Sequence, residues 1–380
     1  MTKETYKVVL AGGGSGGHVF PLIAITRELK RVLPGDVLDF CYLGPRDKVS
    51  KEYIEREGIR MKPIYSGKLR RYIGFLPVLR NIFDIAIKMP AGIVQSFFFL
   101  FFYSPDLILS KGGYGSFPVV LAGRLLRIPV FLHESDSAAG AANQFLQRFA
   151  SEIFVSFPDT SGIKKEKMII TGNPVREEVL EGEKEKGKRL FGLRGEKPVL
   201  LILGGSQGSE RINDLVLSIS GKILEDFEVI HQCGAGNSKE VSAEVEAVIT
   251  DKEKKEHYHV YPFLNEEKMK HAYECAELVV SRAGAGTIFE LAAKGRAAVL
   301  LPLPESAQDH QAKNAYEYSA SGAAIVLEEG NLTSHFFLER IKELFSPVKQ
   351  IREMESNARG FSKPRAGYII ASYIKEYLTR

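Results

Sequence analysis

Short apolar runs alternate with amphipathic helical patterns along almost the whole chain. Runs such as 107–110 and 199–203 are aliphatic and are bounded by polar, proline or glycine positions. Buried parallel strands have such continuous apolar runs, and each needs a crossover helix before the next strand. The pattern therefore predicts a parallel α/β architecture. We expect strands at 7–11, 37–43, 107–110, 130–133, 153–156, 168–170, 199–203, 228–232, 260–261, 278–281, 298–301 and 324–327.

The two halves of the chain begin alike. In each, a strand runs into a glycine-rich turn, at 12–17 and at 204–208, and a helical pattern follows. A strand, a glycine turn and a helix N-terminus form the first unit of a Rossmann-like sheet. We therefore expect two Rossmann-like domains, 1–171 and 172–363. The helical stretch that follows Lys363-Pro364, within 364–380, could pack back onto the first domain.

Length and composition agree with two globular domains. The chain has 380 residues, of which 44% are hydrophobic and 26% charged. These values are typical of soluble globular proteins of two ordinary domains. Cys41, Cys233 and Cys275 are scattered in apolar segments without a paired spacing, so we expect buried thiols in a reducing compartment. The N-terminal residues lack a basic head with an apolar core, so we do not expect secretion.

The most apolar segment is 89–103, which contains the phenylalanine-rich run 97–102. It is shorter than the roughly 20 residues that a membrane-spanning helix needs. We therefore expect that it does not cross a bilayer and that the phenylalanine run belongs to an ordinary buried helix.

Basic residues are concentrated between residues 60 and 90. Seven lysines and arginines face a single acid there, which gives this segment +6 while the whole chain carries only +4. Within 72–89 the polar residues form one narrow helical stripe, and the other positions are largely apolar. This pattern fits docking onto an anionic lipid surface. It equally fits a core helix with a solvated stripe. The stripe consists of Arg80, Asn81, Asp84 and Lys88.

The first glycine turn invites a dinucleotide interpretation. Gly12, Gly14 and Gly17 satisfy the GxGxxG spacing, but a lone fingerprint is a weak signal. The acid expected at the end of the second strand is missing, because Asp39 falls at that strand's start. We therefore disfavour NAD binding. A P-loop is excluded because no GK[ST] follows the glycines. His18 closes this turn at the edge of the sheet where ligands bind in α/β proteins, so we expect it to face a substrate.

The strongest group of candidate residues lies in the second half. The turn 281–287 follows a strand and precedes a helix, and we expect Glu290 within the first turn of that helix. Turn amides can bind a diphosphate while a carboxylate accepts ribose hydroxyls. The alternative is a carboxylate that merely stabilises the helix N-terminus, by ~0.3–1 kcal/mol. The polar segment 302–311 ends on the same edge, so the group fits a nucleotide-diphosphate sugar.

At these residues the chain resembles the MurG family, the bacterial N-acetylglucosaminyltransferases of peptidoglycan synthesis (glycosyltransferase family 28). The similarity covers essentially the whole chain in order. The matching segments are 12–21 (GGGSGGHVFP), 111–118 (KGGYGSFP), 133–134 (HE), 140–143, 172–176 (GNPVR), 204–208 (GGSQG), 281–290 and 309–314 (DHQAKN). The resemblance implies a GT-B fold, in which two Rossmann-like domains face each other across a cleft.

The resemblance also implies roles for individual residues of this chain. The first-domain set resembles the acceptor-side and cleft residues of the family: Gly14, Ser15, Gly16, His18, Tyr114, Glu134 and Asn143. Ser15, Gly16, Gly17 and Asn143 are also expected to contact UDP-N-acetylglucosamine.

In the second domain the implied donor contacts are more specific. Ser206 and Gln207 are expected at the diphosphate and sugar, and Arg176 at the nucleotide. The backbone of Leu264 is expected to bind uracil and Glu290 the ribose. The remaining donor contacts are Gly286, Thr287, His310 and Gln311, with the last two at the sugar hydroxyls.

The family's chemistry is an inverting transfer of N-acetylglucosamine from UDP-N-acetylglucosamine to a lipid-linked muramyl-pentapeptide acceptor, a step that serves cell-wall biogenesis, cell shape and division. It implies a peripheral enzyme on the cytoplasmic face of the bacterial membrane, with no nucleic-acid partner. The transfer needs one general base. We favour His18, because an imidazole titrates near neutral pH, with Glu134 as the rival. The chain has no DxD triplet, so we expect no metal and no cofactor.

The chain departs from the family in two places. The common HEQN sequence is replaced by His133-Glu134-Ser135-Asp136, and His310 replaces one of two glutamines. Three other functions share parts of the pattern. They are a UDP-N-acetylglucosamine 2-epimerase, another GT-B lipid glycosyltransferase and a non-catalytic sugar-nucleotide-binding regulator. An epimerase needs no lipid acceptor, and a regulator would not need both His18 and Glu290.

Overall fold

The computed structural model describes residues 5–13, 16–33, 37–67, 75–205, 207–346 and 349–380. The chain divides into two compact units. Unit 1 comprises Met1–Val175 and Pro364–Arg380, and unit 2 comprises Arg176–Lys363. In each unit, helices surround one parallel sheet.

The sheet of unit 1 has seven parallel strands in the order β3-β2-β1-β4-β5-β6-β7. The strands are β1 (Tyr6–Ala11), β2 (Leu38–Gly44), β3 (Arg60–Pro63), β4 (Leu107–Ser110), β5 (Val130–Glu134), β6 (Glu152–Val155) and β7 (Met168–Ile170). The helices before residue 175 are α1 (Gly16–Val32), α2 (Lys48–Arg56), α3 (Phe75–Phe83), α4 (Met89–Tyr103), α5 (Phe117–Leu125) and α6 (Ala141–Leu146).

The sheet of unit 2 has six parallel strands in the order β10-β9-β8-β11-β12-β13. These are β8 (Val199–Leu203), β9 (Glu228–Gln232), β10 (Tyr258–Tyr261), β11 (Ala276–Ser281), β12 (Ala297–Leu300) and β13 (Ala324–Val326). The helices are α7 (Glu177–Leu180), α8 (Lys184–Phe191), α9 (Glu210–Asp226), α10 (Ser238–Val248), α11 (Lys252–Lys255), α12 (Glu266–Cys275), α13 (Ala285–Lys294), α14 (His310–Ser319), α15 (Ser334–Leu344) and α16 (Lys349–Phe361).

The last helix returns to unit 1. Helix α17 (Ala366–Thr379) packs against α1 and buries Ile370, Ala371 and Ile374 in the core of that unit. Gly367 lies against the side chain of Glu28 on α1, so the two helices approach closely. The predicted return of the C-terminal helix is therefore confirmed.

All twelve predicted strands are present, with ends within about two residues of the predictions. The missed strand, β3, pairs only with β2 and forms one edge of the sheet. Its sequence is Arg-Met-Lys-Pro, and three of its four residues are exposed. An edge strand with so little burial leaves no apolar run in the sequence, which is why the pattern did not predict it.

The apolar helix of unit 1 is longer than the sequence predicted. Helices α3 and α4 are joined by one π-helical turn, Asp84–Lys88, so helical structure continues between them. The stretch Pro77–Tyr103 has 27 residues and, by length and composition alone, could cross a membrane. The prediction that this segment is too short was wrong. Asp84 and Lys88 interrupt the apolar run in the sequence, but they pair with each other at 2.6 Å within the helix.

The pattern left two orientations open for this helix, and the structure has its apolar side chains exposed. Asp84 is buried, with 2% exposure. Gly92, Ser96 and Leu100 follow on the same helix face at intervals of four residues, and they are buried as well. The apolar side chains point outward instead. They are Val78, Leu79, Ile82, Phe83, Ile85, Ile87, Val94, Phe98, Phe101 and Phe102, which we call the apolar helix surface. The alternative of a core helix with a solvated polar stripe is therefore wrong. The prediction that the phenylalanine-rich run belongs to an ordinary buried helix is also wrong.

The basic segment carries less unpaired charge than its sequence sum of +6. Arg60 forms a bidentate ion pair with Asp39, at 2.9 and 3.0 Å, and Lys88 is paired with Asp84. Lys62 and Arg80 are exposed. The other three cations, at 68, 70 and 71, lie outside the described residues.

Candidate functional site

In unit 1 the candidate residues meet where β1 and β4 end side by side. The chain runs outward from β1 to β2 and β3, then crosses back to β4 on the other side of β1. Ala11 pairs with Ser110, so Gly12 and Lys111 leave the sheet as neighbours. Such a reversal of strand order is where parallel α/β sheets bind ligands.

His18 lies in the first turn of α1 and is half-buried against the turn after β4. A Cβ at Gly113 would lie 3.0 Å from Nε2 of His18, and Gly113 has a φ of +78°. Only glycine adopts that backbone conformation readily and leaves room for the imidazole. The structure therefore places His18 at this edge, as the sequence predicted.

Glu134, the last residue of β5, is almost fully buried, with 3% exposure. Its carboxylate accepts hydrogen bonds from the backbone N–H groups of Asp136 (3.1 Å) and Gly140 (3.0 Å) and from Nδ2 of Asn143 (2.9 Å). Asn143 in turn lies over Gly112, where a Cβ would come within 2.3 Å of Oδ1. Three of about four acceptor positions on this carboxylate are thus occupied by the protein.

Lys111 is a site residue to which the sequence reasoning assigned no role of its own. Its side chain is buried, and Nζ donates a hydrogen bond to Oγ of Ser135 at 2.9 Å. Burial lowers the pKa of Lys111, and the nearby Glu134 and Asp136 oppose that shift. Burial likewise raises the pKa of Glu134, and the charge of Lys111 opposes it. The sequence did contain a signal for a functional role of Lys111, because this lysine directly follows a buried strand at the edge where ligands bind.

The remaining candidates of unit 1 lie on the same turns. Tyr114 follows Gly113 and is half-buried, and Gly17 is exposed at the start of α1, one residue after Gly16. Gly14 and Ser15 lie outside the described residues.

In unit 2 the same arrangement is built from β8 and β11. Strand order reverses between them, and Leu203 pairs with Ser281, so Gly204 and Arg282 leave the sheet together. A Cβ at Gly208, whose φ is +82°, would lie 2.2 Å from the carbonyl oxygen of Cys233. The turns after β8 and β9 therefore pack backbone to backbone. Gln207 is exposed on the first of these turns, and Ser206 lies outside the described residues.

Helix α13 begins at Ala285, with Gly284 as its N-cap. Gly286 and Thr287 therefore lie in its first turn, where backbone N–H groups lack intrahelical acceptors, and the N-cap Gly284 has no side chain to cap them. Glu290 is the sixth residue of the helix and lies in its second turn. The prediction that Glu290 lies in the first turn was wrong, because the helix starts at Ala285, three residues before the predicted start at Ile288. Its carboxylate is too far along the helix to serve as an N-terminal charge.

Glu290 is buried in a hydrogen-bonded cluster. Its Oε1 accepts hydrogen bonds from Nε (2.9 Å) and Nη2 (2.8 Å) of Arg176, and its Oε2 accepts one from the hydroxyl of Tyr273 (3.1 Å). Arg176 also lies 3.7 Å from Glu266. The structure thus brings together Arg176 and Glu290, two residues predicted from distant parts of the sequence. It adds Tyr273, which no sequence pattern indicated.

Arg282 links the turns of this edge and was missed as an individual residue. Its Nη2 donates to Oγ of Ser209 at 2.6 Å and its Nη1 to the carbonyl oxygen of Leu301 at 3.1 Å. It also forms an ion pair with Glu329, which Arg211 contacts at 3.0 Å. The turns after β8, β11 and β12 are therefore held together by one guanidinium group.

The other donor candidates lie on the same edge or beside it. Helix α14 begins at His310, after two consecutive residues with positive φ, Gln308 (57°) and Asp309 (55°). Oε1 of Gln311 accepts a hydrogen bond from the backbone N–H of Leu303 at 3.0 Å, which ties the start of α14 to the segment after β12. Positive φ at non-glycine residues is costly and is often found at functional sites. Leu264 is buried between β10 and α12.

Comparison with known proteins assigns the family. The model of the glycosyltransferase family 28 N-terminal domain matches residues 8–155, and that of the family 28 C-terminal domain matches residues 199–367. The chain belongs to glycosyltransferase family 28. Both candidate edges therefore lie in segments that characterise family 28 enzymes, and the predicted two Rossmann-like sheets of GT-B glycosyltransferases are confirmed.

Relatives within family 28 extend over nearly the full chain. A protein of Clostridium tetani is 36% identical over 93% of this chain and 94% of its own length. It is named UDP-N-acetylglucosamine--N-acetylmuramyl-(pentapeptide) pyrophosphoryl-undecaprenol N-acetylglucosamine transferase. A Bacillus cereus protein with the same name, numbered 2, is 39% identical over 89% of this chain and 91% of its own.

Solved structures agree with this family 28 fold. The crystal structure of Acinetobacter baumannii MurG covers 98% of this chain and 99% of its own, with 26% identity and a TM-score of 0.75. A UDP-GlcNAc 2-epimerase of Neisseria meningitidis, solved with UDP-GlcNAc, covers 98% of this chain and all of its own with a TM-score of 0.67. Its identity is only 14%, so the likeness to the epimerase concerns the fold alone.

Proposed function

We propose that this chain transfers N-acetylglucosamine from UDP-N-acetylglucosamine to a lipid-linked muramyl-pentapeptide acceptor, in peptidoglycan synthesis. The observation that carries the proposal is the 36–39% identity, over about nine-tenths of the chain, to enzymes named for that transfer. The epimerase alternative has less support, since its likeness is confined to the fold.

Unit 2 would bind the nucleotide donor. The N-terminus of α13, whose N-cap is a glycine, offers backbone N–H groups for a diphosphate, with Gly286 and Thr287 in its first turn. Glu290 would accept hydrogen bonds from the ribose hydroxyls, and Arg176, which is expected at the nucleotide, would also hold this carboxylate in place. Leu264, at the entrance to α12, would present its backbone to uracil. The resemblance to the MurG family implies these roles, and the positions of the residues around one sheet edge support them.

The sugar and diphosphate would extend along the same edge. Ser206 and Gln207 would face the diphosphate, and His310 and Gln311 the sugar hydroxyls. Since Oε1 of Gln311 accepts from Leu303, its amide N–H₂ group is the part oriented for a sugar oxygen. Helix N-termini and turn amides would stabilise the departing diphosphate as negative charge develops on it.

Unit 1 would bind the acceptor and supply the general base. A muramyl hydroxyl oxygen would attack the anomeric carbon, its proton passing to the imidazole of His18, while the bond to UDP breaks with its electrons on the diphosphate. The hydrogen bonds to Glu134 favour His18 as the base, since that carboxylate already accepts three N–H groups. Glu134 would instead position Asn143 and the 135–140 segment, with Lys111 as its buried counter-charge. Gly14, Ser15, Gly16, Gly17 and Tyr114 would line the candidate site of unit 1.

A transfer assay tests the proposed reaction. Purified protein with radiolabelled UDP-N-acetylglucosamine and a lipid-linked muramyl peptide is expected to give a labelled lipid product together with UDP. Without acceptor, release of UDP should fall to background. Acceptor-independent release of UDP with formation of the 2-epimer would instead assign the epimerase function, and binding of the donor without turnover would assign a regulator.

We also propose that unit 1 docks peripherally on the anionic cytoplasmic face of the cell membrane through the apolar helix surface. Ten large apolar side chains are exposed on one helical stretch, and only 17% of its most apolar part is buried. So many exposed apolar side chains on one helical stretch mark an interaction surface. A shallow groove of about 490 Å³ adjoins it and is lined by Phe98, Phe99, Phe102 and Tyr103, with Lys62 also in its lining.

The packing of this helix supports docking rather than spanning. Gly92 lies so close to the backbone of Tyr65 that a Cβ would come within 1.9 Å of its carbonyl oxygen. Ser96 and Leu100 are buried on the same face. A helix held along one face by its own domain cannot be surrounded by lipid, whereas its other face can enter the interface between headgroups and acyl chains.

Replacing Phe98, Phe101 and Phe102 together by serine is expected to weaken binding to phosphatidylglycerol vesicles by about 100-fold. Burying part of each phenylalanine contributes about 1 kcal/mol, and three such losses correspond to that factor. Vesicle co-sedimentation measures the effect. The matched control is a triple serine variant at Leu190, Val248 and Phe336, which are exposed apolar residues of unit 2. Equal loss in both variants, or in neither, would contradict docking through this surface.

A further inference from the structure

The groove beside the apolar helix surface runs between strand β3 and helix α4. Pro63 and Ile64, at the end of β3, line one side of it, and Phe98, Phe99 and Phe102 line the other. Its volume of about 490 Å³ is in the range of sites that bind small apolar molecules. Strand β3 is the edge of the sheet, so among the described residues no further strand covers the groove. It is therefore open to an external ligand.

Contacts between α4 and the sheet edge fix both ends of this groove. At one end Gly92 packs so closely on the backbone of Tyr65 that a Cβ would not fit, and Oε1 of Gln95 accepts a hydrogen bond from the N–H of Tyr65 at 2.9 Å. At the other end the hydroxyl of Tyr103 donates to the backbone oxygen of Asp39 at 3.2 Å. The helix rises by about 12 Å between these two ends, at 1.5 Å per residue. The groove is therefore preformed and could hold an apolar chain along about 12 Å.

The lining of the groove is apolar apart from Gln95, Tyr103 and Lys62. The first two make the hydrogen bonds just described. Lys62 is exposed and forms no ion pair among the described residues, whereas the nearby Arg60 is paired with Asp39. An apolar groove with a single unpaired ammonium group matches an apolar chain that carries an anionic head group.

The groove and the apolar helix surface use different phenylalanines of the same helix. Phe99 lies in the groove, where its ring stacks on that of Tyr103 with centroids 5.3 Å apart. Phe101 belongs to the apolar helix surface and does not line the groove. Phe98 and Phe102 belong to both, so the groove continues the surface that is proposed to lie on the membrane.

We propose that the groove binds one acyl chain of an anionic membrane phospholipid, with the phosphate of its head group at Lys62. This inference rests on the proposed docking of unit 1, because docking brings the chains of the bilayer to the groove. It adds a binding site for a single lipid molecule to a surface that otherwise contacts the bilayer as a whole. The lipid chain of the acceptor has similar chemistry. The phospholipid is favoured because β2 and β3 separate the groove from the edge between β1 and β4, where the acceptor is proposed to bind.

Titration calorimetry of the full chain with dihexanoyl phosphatidylglycerol tests this site. Below its critical micelle concentration this lipid is monomeric, so the titration reports on the groove without a membrane surface. We expect saturable binding of one lipid per chain. Phe99→Ala should weaken it about tenfold, because the variant removes apolar surface that contacts the chain. The absence of saturable binding to the wild type would overturn the proposal.

Phe101→Ala is the matched control, two residues away on the same helix. It should leave the affinity for monomeric lipid unchanged and weaken binding to phosphatidylglycerol vesicles, because Phe101 is 58% exposed on the docking surface. Equal loss of monomer binding in Phe99→Ala and Phe101→Ala would refute the assignment to the groove.

Lys62→Glu tests the head-group contact at an exposed position, where the substitution does not disturb the core. It should weaken binding of dihexanoyl phosphatidylglycerol about tenfold. Dihexanoyl phosphatidylcholine, which has no net charge, should bind the wild type more weakly and be little affected by the variant. Lys165→Glu reverses the same charge at an exposed position of unit 1 outside the groove and should have no effect. Equal affinity of the wild type for both lipids would contradict a contact between Lys62 and an anionic head group.

The outcomes separate this site from the docking of unit 1. Binding of monomeric lipid by a wild type that does not bind vesicles would refute docking and support the groove. Binding of vesicles, with monomer affinity unchanged in Phe99→Ala, would refute only the groove. Farnesyl phosphate, a soluble isoprenoid, is the probe for the other occupant. If it binds more tightly than dihexanoyl phosphatidylglycerol and loses affinity in Phe99→Ala, the groove belongs to the acceptor's chain and the phospholipid assignment is overturned.

Discussion

Replacing His18 by alanine is expected to lower kcat by about two to four orders of magnitude, the range in which a general base contributes to catalysis. The KM for UDP-N-acetylglucosamine should change by less than about threefold, because the donor is proposed to bind mainly to unit 2. The variant should fold, since His18 is half-buried in the first turn of α1 and packs against a glycine turn. Steady-state transfer at saturating donor and acceptor measures the effect.

Two comparisons make the test of His18 specific. Glu134→Gln keeps the size of the side chain and removes its charge, so it separates the rival base from His18. We expect this variant to lose less of kcat than His18→Ala, because a residue whose oxygens accept N–H groups from Asp136, Gly140 and Asn143 acts by positioning, and the amide oxygen of glutamine can keep only part of those hydrogen bonds. His335→Ala, at an exposed position on α15, controls for removing any histidine.

Chemical rescue distinguishes a missing base from a distorted site. Free imidazole should restore part of the activity of His18→Ala and none to Glu134→Gln. The assignment is reversed if Glu134→Gln loses the larger share of kcat while His18→Ala remains active. A large rise in donor KM in His18→Ala, with kcat unchanged, would give His18 a binding role instead.

The order of strands and turns could be predicted from the sequence because buried parallel strands are continuous apolar runs. The runs 107–110, 168–170, 199–203 and 228–232 coincide with observed strands. Strand β3 could not be predicted, since Arg60–Pro63 is an exposed edge strand. The return of the C-terminal helix to unit 1 was also predictable. The apolar face of a helix after Lys363-Pro364 has to be buried against another part of the fold.

The apolar helix shows where a pattern has two solutions. Periodicity separates a polar stripe from an apolar one, but it does not tell which stripe faces the domain. The usual assumption that apolar residues face inward failed between Pro77 and Tyr103, where Asp84 is buried and Phe102 is 79% exposed. Burial of Asp84 is possible because Lys88, one turn later, supplies its counter-charge.

In the candidate site, turns were predictable and side-chain partners were not. Glycine turns and the residues that follow buried strands can be located from local sequence, which is how His18, Glu134 and Glu290 were selected. The partners of Glu290 are 17 and 114 residues away along the chain. A tyrosine in a helix such as α12 indicates burial and gives no sign of what its hydroxyl contacts. Tyr273 therefore required the structure.

Glu290 combines ligand binding with charge compensation, so its removal should have two separable effects. A hydrogen bond to a charged acceptor contributes about 1.5–3 kcal/mol to binding. The alanine variant loses this contribution, because no carboxylate is left to accept a hydrogen bond from the ribose. Arg176 loses the carboxylate that accepts two of its hydrogen bonds, while Glu266 lies 3.7 Å away. An uncompensated, largely buried guanidinium group destabilises the fold and can also turn towards the nucleotide.

Glu290→Ala is therefore expected to raise the KM for UDP-N-acetylglucosamine by about 100-fold, with a much smaller change in kcat at saturating donor, and to lower the Tm of unit 2. Titration calorimetry with UDP should show the same loss of affinity without an acceptor present. Glu290→Gln, which keeps one acceptor oxygen, should lie between the wild type and Glu290→Ala. Glu267→Ala removes an exposed ion-paired acid from α12 and should leave UDP affinity unchanged. Unaltered UDP affinity in Glu290→Ala would exclude this edge of unit 2 as the nucleotide site. Among the described residues of this edge, no other acid is buried at the turn where a ribose would lie.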